Sequence, residues 1–267
     1  VNAAPFVLGL GVVVFTHLSA NVANDYADSV SGVDDVDKRH FGFFGGAQLI
    51  QQGILSRKQT RDLALLLAAT AWGFVLGLAL LVGSLWLVVL YAGLLGLAWA
   101  YSCRPLALSY RGCGEAVVFL LFGPTTFLGG WFLQTGSLPG GTGILLSMVH
   151  GALVAAILVT NEVADARPDS IAGKMTLVAK VGAQNGWLLS AFLAVGALGV
   201  IIWLLRQGQV HRPTALIAVM GGAVACALSV LQLRRLYNQR ECLTTASKLA
   251  IAAHTWTSLW LMAGTWA

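Results

Sequence analysis

Apolar stretches long enough for membrane helices recur along the chain, and polar positions collect between them. They cover roughly residues 2–24, 61–83, 85–101, 115–135, 142–163, 184–205, 213–233 and 245–266. A hydrocarbon core of about 30 Å takes some 20 helical residues. The runs lack the period-two alternation of a membrane barrel strand. Small residues recur inside them, as at Gly9 and Gly11, Gly93 and Gly96, Gly129 and Gly130, Gly221 and Gly222, which suits close helix approach in lipid. Only the connections 25–60, 102–114, 164–183 and 234–244 are long and polar. The pattern predicts an all-α fold, a polytopic transmembrane bundle of eight spans with a polar cap on one side. No stretch reads as a linker, so residues 1–267 are expected to form a single domain.

Composition agrees. Hydrophobic residues make up 57% of the 267 positions and charged residues 10%, with a mean hydropathy of +0.78; a soluble domain is usually about a quarter charged. If the spans alternate, the long connections share one side, and that side holds every lysine and arginine except Arg206 and Arg212. This is a positive-inside signal, so the polar cap is expected to face the cytoplasm across the cell's inner membrane. The net charge of +5 then reports topology, and no nucleic-acid partner is expected. Cys103, Cys113, Cys226 and Cys242 show no metal-binding spacing and are expected to be free thiols.

The acids change the picture. All eleven lie on the basic side, and Asp25, Asp28, Asp34, Asp35 and Asp37 crowd the stretch NVANDYADSVSGVDDVDKRH. If the first helix runs on through it, Asn21, Asn24, Asp25 and Asp28 share one face. A second cluster, NEVADARPDSIAGKMTL, begins at Asn161, with Asn161, Asp165 and Asp169 spaced four apart. Pro168 is expected to kink or end that helix near residues 164–167, leaving Asp169 in the turn beyond. Carboxylates aligned beside a membrane are costly and repel one another. Mg²⁺ answers both problems, because it takes oxygen ligands and commonly joins one or two carboxylates to a phosphate. Two such clusters, flanked by Lys174 and Arg111, predict a site for a magnesium-bound diphosphate. A third segment, CRPLALSYRGCGE, places Tyr110 and Arg111 before a Gly-x-Gly turn, with Arg111 able to clamp a phosphate or simply to anchor at the interface.

These residues resemble the UbiA superfamily of intramembrane prenyltransferases, which carries an NDxxDxxxD-type motif and, four helices later, a DxxxD motif. Here the first reads Asn24-Asp25-Tyr26-Ala27-Asp28 and the second Asp165-Ala166-Arg167-Pro168-Asp169. Gly32 stands where the first motif's third acid belongs, with Asp34 two positions on. That departure is similar to the menaquinone branch, with its NDYxDxxxGxD, PLxLxYRGxGE and NxxxDxxxDxxxGKxTL patterns. They match Asn24 to Asp34, Pro105 to Glu115, and Asn161 to Leu177.

The resemblance implies magnesium-dependent transfer of a polyprenyl group from an allylic diphosphate to an aromatic acceptor, 1,4-dihydroxy-2-naphthoate in menaquinone biosynthesis. It implies two Mg²⁺ ions held by Asn24, Asp28, Asp165 and Asp169. Asp25 and Asn161 would order that shell, and Lys174 and Arg111 would stabilise the leaving diphosphate. Asn21, Asp34 and Tyr110 are further substrate-binding candidates, and Asp34, Asp35 and the diphosphate are all open as acceptors of the ring proton. The family has nine helices with the first motif after the second, so its first helix is expected to be missing from this sequence. The other acceptor types, 4-hydroxybenzoate and a glycerol phosphate, remain alternatives.

From the residues themselves, the rival is a cation-coupled transporter, although such proteins place their acids near the bilayer midplane. Phe119, Phe122, Phe127, Trp131, Trp99 and Tyr101 could face an allylic cation or merely pack. His150 and His254 read as interhelical hydrogen-bond partners. Ser56 to Gln59 reads as a capping box, and residues 41–52 as a lid.

Overall fold

A computed structural model of the chain describes residues 1–36, 44, 46 and 48–265, and of Glu241 the backbone alone. The described residues contain no strand. Eight principal helices occupy the apolar stretches: α1 (Ala3–Ser31), α2 (Arg57–Val82), α3 (Trp86–Ala100), α4 (Gly114–Thr135), α5 (Gly141–Ile171), α6 (Gly186–Arg206), α7 (Arg212–Leu236) and α8 (Leu243–Ala263). Six of them are long and apolar enough to cross a membrane, α3 and α8 being the exceptions. At 15 residues, α3 reaches about 22 Å, short of the roughly 30 Å core. In α8 the residues Thr244, Thr245, Ser247, Lys248, His254, Thr255, Thr257 and Ser258 dilute the apolar content. The expected eight spans therefore stand as eight helices, of which six meet the requirement for spanning.

Chain-local chemistry explains the ends. Ser56 and Gln59 form the expected reciprocal capping box at the start of α2, and Gly83 closes that helix in the left-handed region at φ +70°. In α4, Pro124 lacks the donor for an ordinary helical bond, and residues 121–125 widen into a π turn before the helix resumes. Pro168 does less damage than its residue type suggests. α5 continues unbroken through it to Ile171, correcting the expected kink. The proline sits in the last turn, where only one interior hydrogen bond is forfeited.

α1 lies against α2 and α3 and touches the far end of α4; α4 packs on α5, and α5 in turn meets α6 and α8, with α7 between those two. The interior is built from small residues. Ala152, Ala194, Ala197, Ala215, Ala218 and Ala253 surround Val149, Leu153 and Ile201 where α5 to α8 meet, while Leu80, Trp86, Phe192 and Val195 point outward. Such an inversion suits a lipid-facing surface. The α4–α5 crossing is the tightest: a Cβ at Gly123 would lie 2.6 Å from Gly151 Cα. His150 bonds across to Ser258 of α8, 2.9 Å away, and its ring lies 5.9 Å from that of His254. All four cysteines are free.

Two helices outrun the bilayer. α1 has 29 residues and α5 has 31, about 43 and 46 Å, against a core of roughly 30 Å. Their surplus turns carry the two acidic motifs.

Candidate active site

The ends of α1 and α5 face one cavity of about 210 Å³, and it collects residues from the polar connections 25–60 and 164–183. Asn24 and Asp28 from α1, and Asn161, Glu162, Asp165, Pro168 and Asp169 from α5, line it together with Asp34, Lys174, Tyr101 and Thr176. Leu158, Val33 and Phe44 supply apolar wall. The two acidic clusters thus meet across one space.

Gly32 explains why the first motif lacks an acid in register. It ends α1 with φ +81°, its N–H returning to the Asp28 carbonyl. The chain then starts a short helix, Val33–Val36, and this turn brings Asp34 back to the cavity wall. Gly173 does the same for α5. At φ +78° it lets the Lys174 N–H reach the Asp169 carbonyl at 2.8 Å, a Schellman closure. Lys174 is thereby folded over the helix end, with Nζ 3.1 Å from Asp28 Oδ2 and 3.9 Å from Asp169 Oδ1. Thr176 then caps the next short helix, accepting from the Ala179 N–H at 3.1 Å. This accounts for the Gly-Lys-x-Thr spacing.

Hydrogen bonds set the remaining orientations. Asn24 Nδ2 donates to Ser102 Oγ at 2.7 Å, leaving its carbonyl oxygen available as a ligand. Tyr110 donates its hydroxyl proton to Asp28 and pairs with Ser31 at 2.7 Å. Ser247 donates to Asn161. Arg240, almost fully buried, donates to Asp165 Oδ1 at 2.6 Å.

Several candidates lie elsewhere. Asn21 turns toward His17, 3.2 Å away, and does not line the cavity. Asp25 lies beside it, in a smaller recess with Val22, Gln48 and Leu49. Arg111 is exposed, its guanidinium donating to the Pro105 carbonyl at 2.9 Å. Of the aromatic candidates only Tyr101 lines the cavity; Trp99 donates to Ser19, Phe122 meets His17, and Phe127 meets His150. Asp35 is exposed. Of the expected lid, residues 41–43, 45 and 47 lie outside the described residues, and Phe44, Gly46 and Gln48 line the cavity.

The charges are unbalanced. Burial, and then Asp28 and Asp25, push Asp34 up to about 7. Lys174 is held well above its ordinary value: burial works against its charge, but Asp28 and Asp169 outweigh it. Acids outnumber cations on this wall, so a cation is wanted. The donors are hard oxygens, the set Mg²⁺ prefers. Among the described residues no three acidic, histidine or cysteine side chains converge on one point. That suits an ion that takes one or two carboxylates and completes its shell with phosphate and water.

Sequence reasoning missed one wall residue, Glu162, and the buried partner of another, Arg240. Glu162 precedes Asp165 by three and Asp169 by seven, a same-face spacing that could have flagged it. Arg240 gave no signal; it was one basic residue among several in a distant connection.

The chain matches the UbiA prenyltransferase family over residues 1–252. The 1,4-dihydroxy-2-naphthoate octaprenyltransferase of Mycobacterium tuberculosis is 31% identical to it over 78% of this chain and 71% of that protein. The protein of that name from Escherichia coli is 28% identical over 67% and 58%. The UbiA prenyltransferase domain-containing protein 1 homolog of Drosophila melanogaster is 31% identical over 72% and 52%. No solved structure matches. With nearly its whole length matched and both acidic motifs meeting at one cavity among membrane helices, the chain belongs to the UbiA prenyltransferase family and is an integral-membrane prenyltransferase.

Proposed function

We propose that the cavity receives the diphosphate of a polyprenyl diphosphate together with Mg²⁺. The chain then transfers the prenyl group to an aromatic acceptor, 1,4-dihydroxy-2-naphthoate, at the cytoplasmic side of the membrane, as a step of menaquinone formation. The observation that carries the reading is the meeting of Asn24, Asp28, Asp165 and Asp169 around one space. The relatives' names support the acceptor. The gathering of basic residues on the same side supports the orientation.

Asn24, Asp28, Asp165 and Asp169 would hold two Mg²⁺ ions, and Asn161 would order the shell. Mg²⁺, when bound, would supply positive charge against the diphosphate. Lys174 adds its ammonium where negative charge grows as the carbon–oxygen bond breaks. Tyr110 and Ser102 hold Asp28 and Asn24 in place through their hydroxyls. Tyr101 offers a ring face to the allylic cation. Leu158, Val33 and Phe44 keep water from it. The prenyl tail gains about 4 kcal/mol per five-carbon unit outside water, at about 0.8 per CH₂, so it lies in the bilayer and threads toward the cavity from the apolar side.

The test supplies membranes carrying the protein with a polyprenyl diphosphate and a panel of aromatic acids, with and without EDTA. Prenylated dihydroxynaphthoate is expected, and only with Mg²⁺. Asp28→Ala and Asp165→Ala are each expected to abolish turnover while the protein still inserts; activity surviving in both would remove the metal assignment.

A further inference from the structure

Arg240 supports the acidic face of α5 from behind. Among the described residues, none from the connection 234–244 or from α8 lines the cavity, yet both reach residues that do. The Arg240 guanidinium donates to Asp165 Oδ1 at 2.6 Å, and Ser247, seven residues on, donates its hydroxyl proton to Asn161. Asn161 and Asp165 stand on successive turns of one α5 face. Arg240 is buried and Ser247 fully so, while Asp165 keeps 20% of its side chain exposed, on the cavity it lines.

The surroundings argue against packing as the reason for the arginine. Leu233, Leu243 and Ala246 meet Val159, Val163 and Ala166 of α5 in an apolar cluster. The start of α8 is tied to α7 as well, Ser229 donating to the Ala246 carbonyl at 2.8 Å. These contacts hold α8 against α5 without any charge, and apolar side chains in place of a buried ion pair are often neutral or stabilising. The guanidinium is explained instead by what it does to Asp165. It grips one carboxylate oxygen and offsets part of the negative charge that Asp28, Asp34 and Asp169 bring to the same wall. Carboxylates that ligate a metal are commonly held this way, by a partner that does not itself touch the ion.

We infer that Arg240 is a positioning residue for the metal site: it sets the direction in which Asp165 presents its carboxylate to the cavity, and the affinity for a divalent cation depends on it. Ser247 does the same for the Asn161 amide, one turn deeper. The inference rests on the metal assignment of the function proposed above. It extends the site to a helix that contributes no wall, and it gives the α7–α8 connection a part in binding. Two effects of the guanidinium oppose each other. Its charge repels a cation, whereas its hydrogen bond orders the ligand. Loss of such a partner typically weakens metal binding about 10–100-fold, so the ordering outweighs the repulsion.

The experiment uses the full chain in detergent and measures bound Mn²⁺, standing in for Mg²⁺, by equilibrium dialysis with inorganic diphosphate on both sides of the membrane. Arg240→Met is expected to weaken binding about 10–100-fold. In liposomes supplied with a polyprenyl diphosphate and dihydroxynaphthoate, it should raise the Mg²⁺ needed for half-maximal rate by a similar factor, with the rate recovered at saturating Mg²⁺. Arg240→Lys keeps the charge on a shorter reach and should fall between. The deciding comparison is an Asp165→Asn background, where Arg240→Met should cause no further loss because the residue it acts through is already altered. A loss that adds there makes Arg240 a holder of the fold and overturns the inference. Ser229→Ala loosens the α7–α8 pair away from the site and should leave Mn²⁺ binding unchanged; a loss equal to that of Arg240→Met overturns the inference too. If Arg240→Met binds Mn²⁺ as tightly as the unaltered protein, or more tightly, the positioning role falls and the proposed function stands. Should Arg240→Met fail to fold, Arg240→Lys decides in the same two backgrounds: weaker binding that vanishes in Asp165→Asn supports the inference, and unchanged binding overturns it. Neither Mn²⁺ binding nor transfer by the unaltered protein overturns both readings together.

Discussion

Lys174 bridges the two acidic helices, and replacing it with methionine tests whether the cavity is built around a cation. Its ammonium lies 3.1 Å from Asp28 and 3.9 Å from Asp169, and the three side chains are only 14%, 9% and 7% exposed. Removing one member of a buried ion pair costs about 3–5 kcal/mol, chiefly because the partner charge is left uncompensated. For a chain of 267 residues, each kcal/mol moves the melting midpoint by about 2 °C, so the expected loss is roughly 6–10 °C. The assay is thermal unfolding in detergent, first with EDTA and then with Mg²⁺. Methionine keeps the length and apolar stem, so cavity formation contributes little. With chelator present, Lys174→Met should melt well below the unaltered protein. Mg²⁺ should then restore more stability to the variant than it adds to the unaltered chain, since the ion no longer competes with an ammonium for Asp28 and Asp169. Affinity for the diphosphate should fall, because an anion partner is gone. Arg61→Met serves as the control: Arg61 pairs with Asp62 at 2.8 Å, but both are about half exposed, and such pairs contribute little. Equal melting of Lys174→Met and the unaltered protein in EDTA, with no extra rescue by Mg²⁺, would refute the argument that unpaired acids dominate this wall.

Two further outcomes follow from the same geometry. Asp34 titrates near 7 in the fold against 3.8 ordinarily, raised by burial and then by Asp28 and Asp25. The folded state therefore binds the proton more tightly, and stability falls as pH rises through that window. In EDTA, Asp34→Asn should melt higher than the unaltered protein at pH 8 and no differently at pH 4; a difference of equal size at both pH values would contradict the assignment. Gly123→Ala should destabilise by about 1–3 kcal/mol, the usual cost of overpacking, because its Cβ would meet Gly151 Cα and the Ser147 carbonyl oxygen, both at 2.6 Å. Gly129→Ala, with nothing within 4 Å, should leave the melting midpoint in place, and matching losses in both would show that the α4–α5 crossing is not tight.

Periodicity made the helices and the acid clusters legible, because both are properties of neighbouring residues. Asn24 with Asp28, and Asp165 with Asp169, are one helical turn apart, so their common face could be read without knowing what they faced. The same logic placed Asn21 with them, and there it failed. Asn21 lies one turn deeper, where His17 offers a nearer partner. Arg111 shows another limit: residue type suggested a phosphate clamp, but the turn closed by Gly112 leaves its side chain against the Pro105 carbonyl. Pro168 misled in the opposite direction, since proline's cost depends on how much helix remains beyond it. Arg240 was out of reach, because its ion pair with Asp165 joins residues 75 apart. All eight apolar stretches form helices, but α3 is too short and α8 too polar to meet the length and hydropathy requirement that the other six satisfy.

The sign of the charge in the cavity constrains the order of events on the proposed reading. A diphosphate is strongly anionic, yet the wall it meets carries Asp28, Asp34, Asp165, Asp169 and Glu162 against the ammonium of Lys174. Arg240 adds a guanidinium behind Asp165, already engaged with it. Like charges a few ångströms apart, in a medium less screening than water, repel by several kcal/mol at an effective dielectric near 20. The bare anion is therefore excluded by the very side chains the family motifs supply, and Asp34 protonation relieves only part of that. The acids make sense as a receptor for a diphosphate whose charge is already offset by divalent cations, so that cation and anion enter as one unit. The same excess of acid explains why Lys174 is folded over the end of α5: in the absence of the ions it is the ammonium nearest to the two carboxylates that would otherwise face each other unpaired.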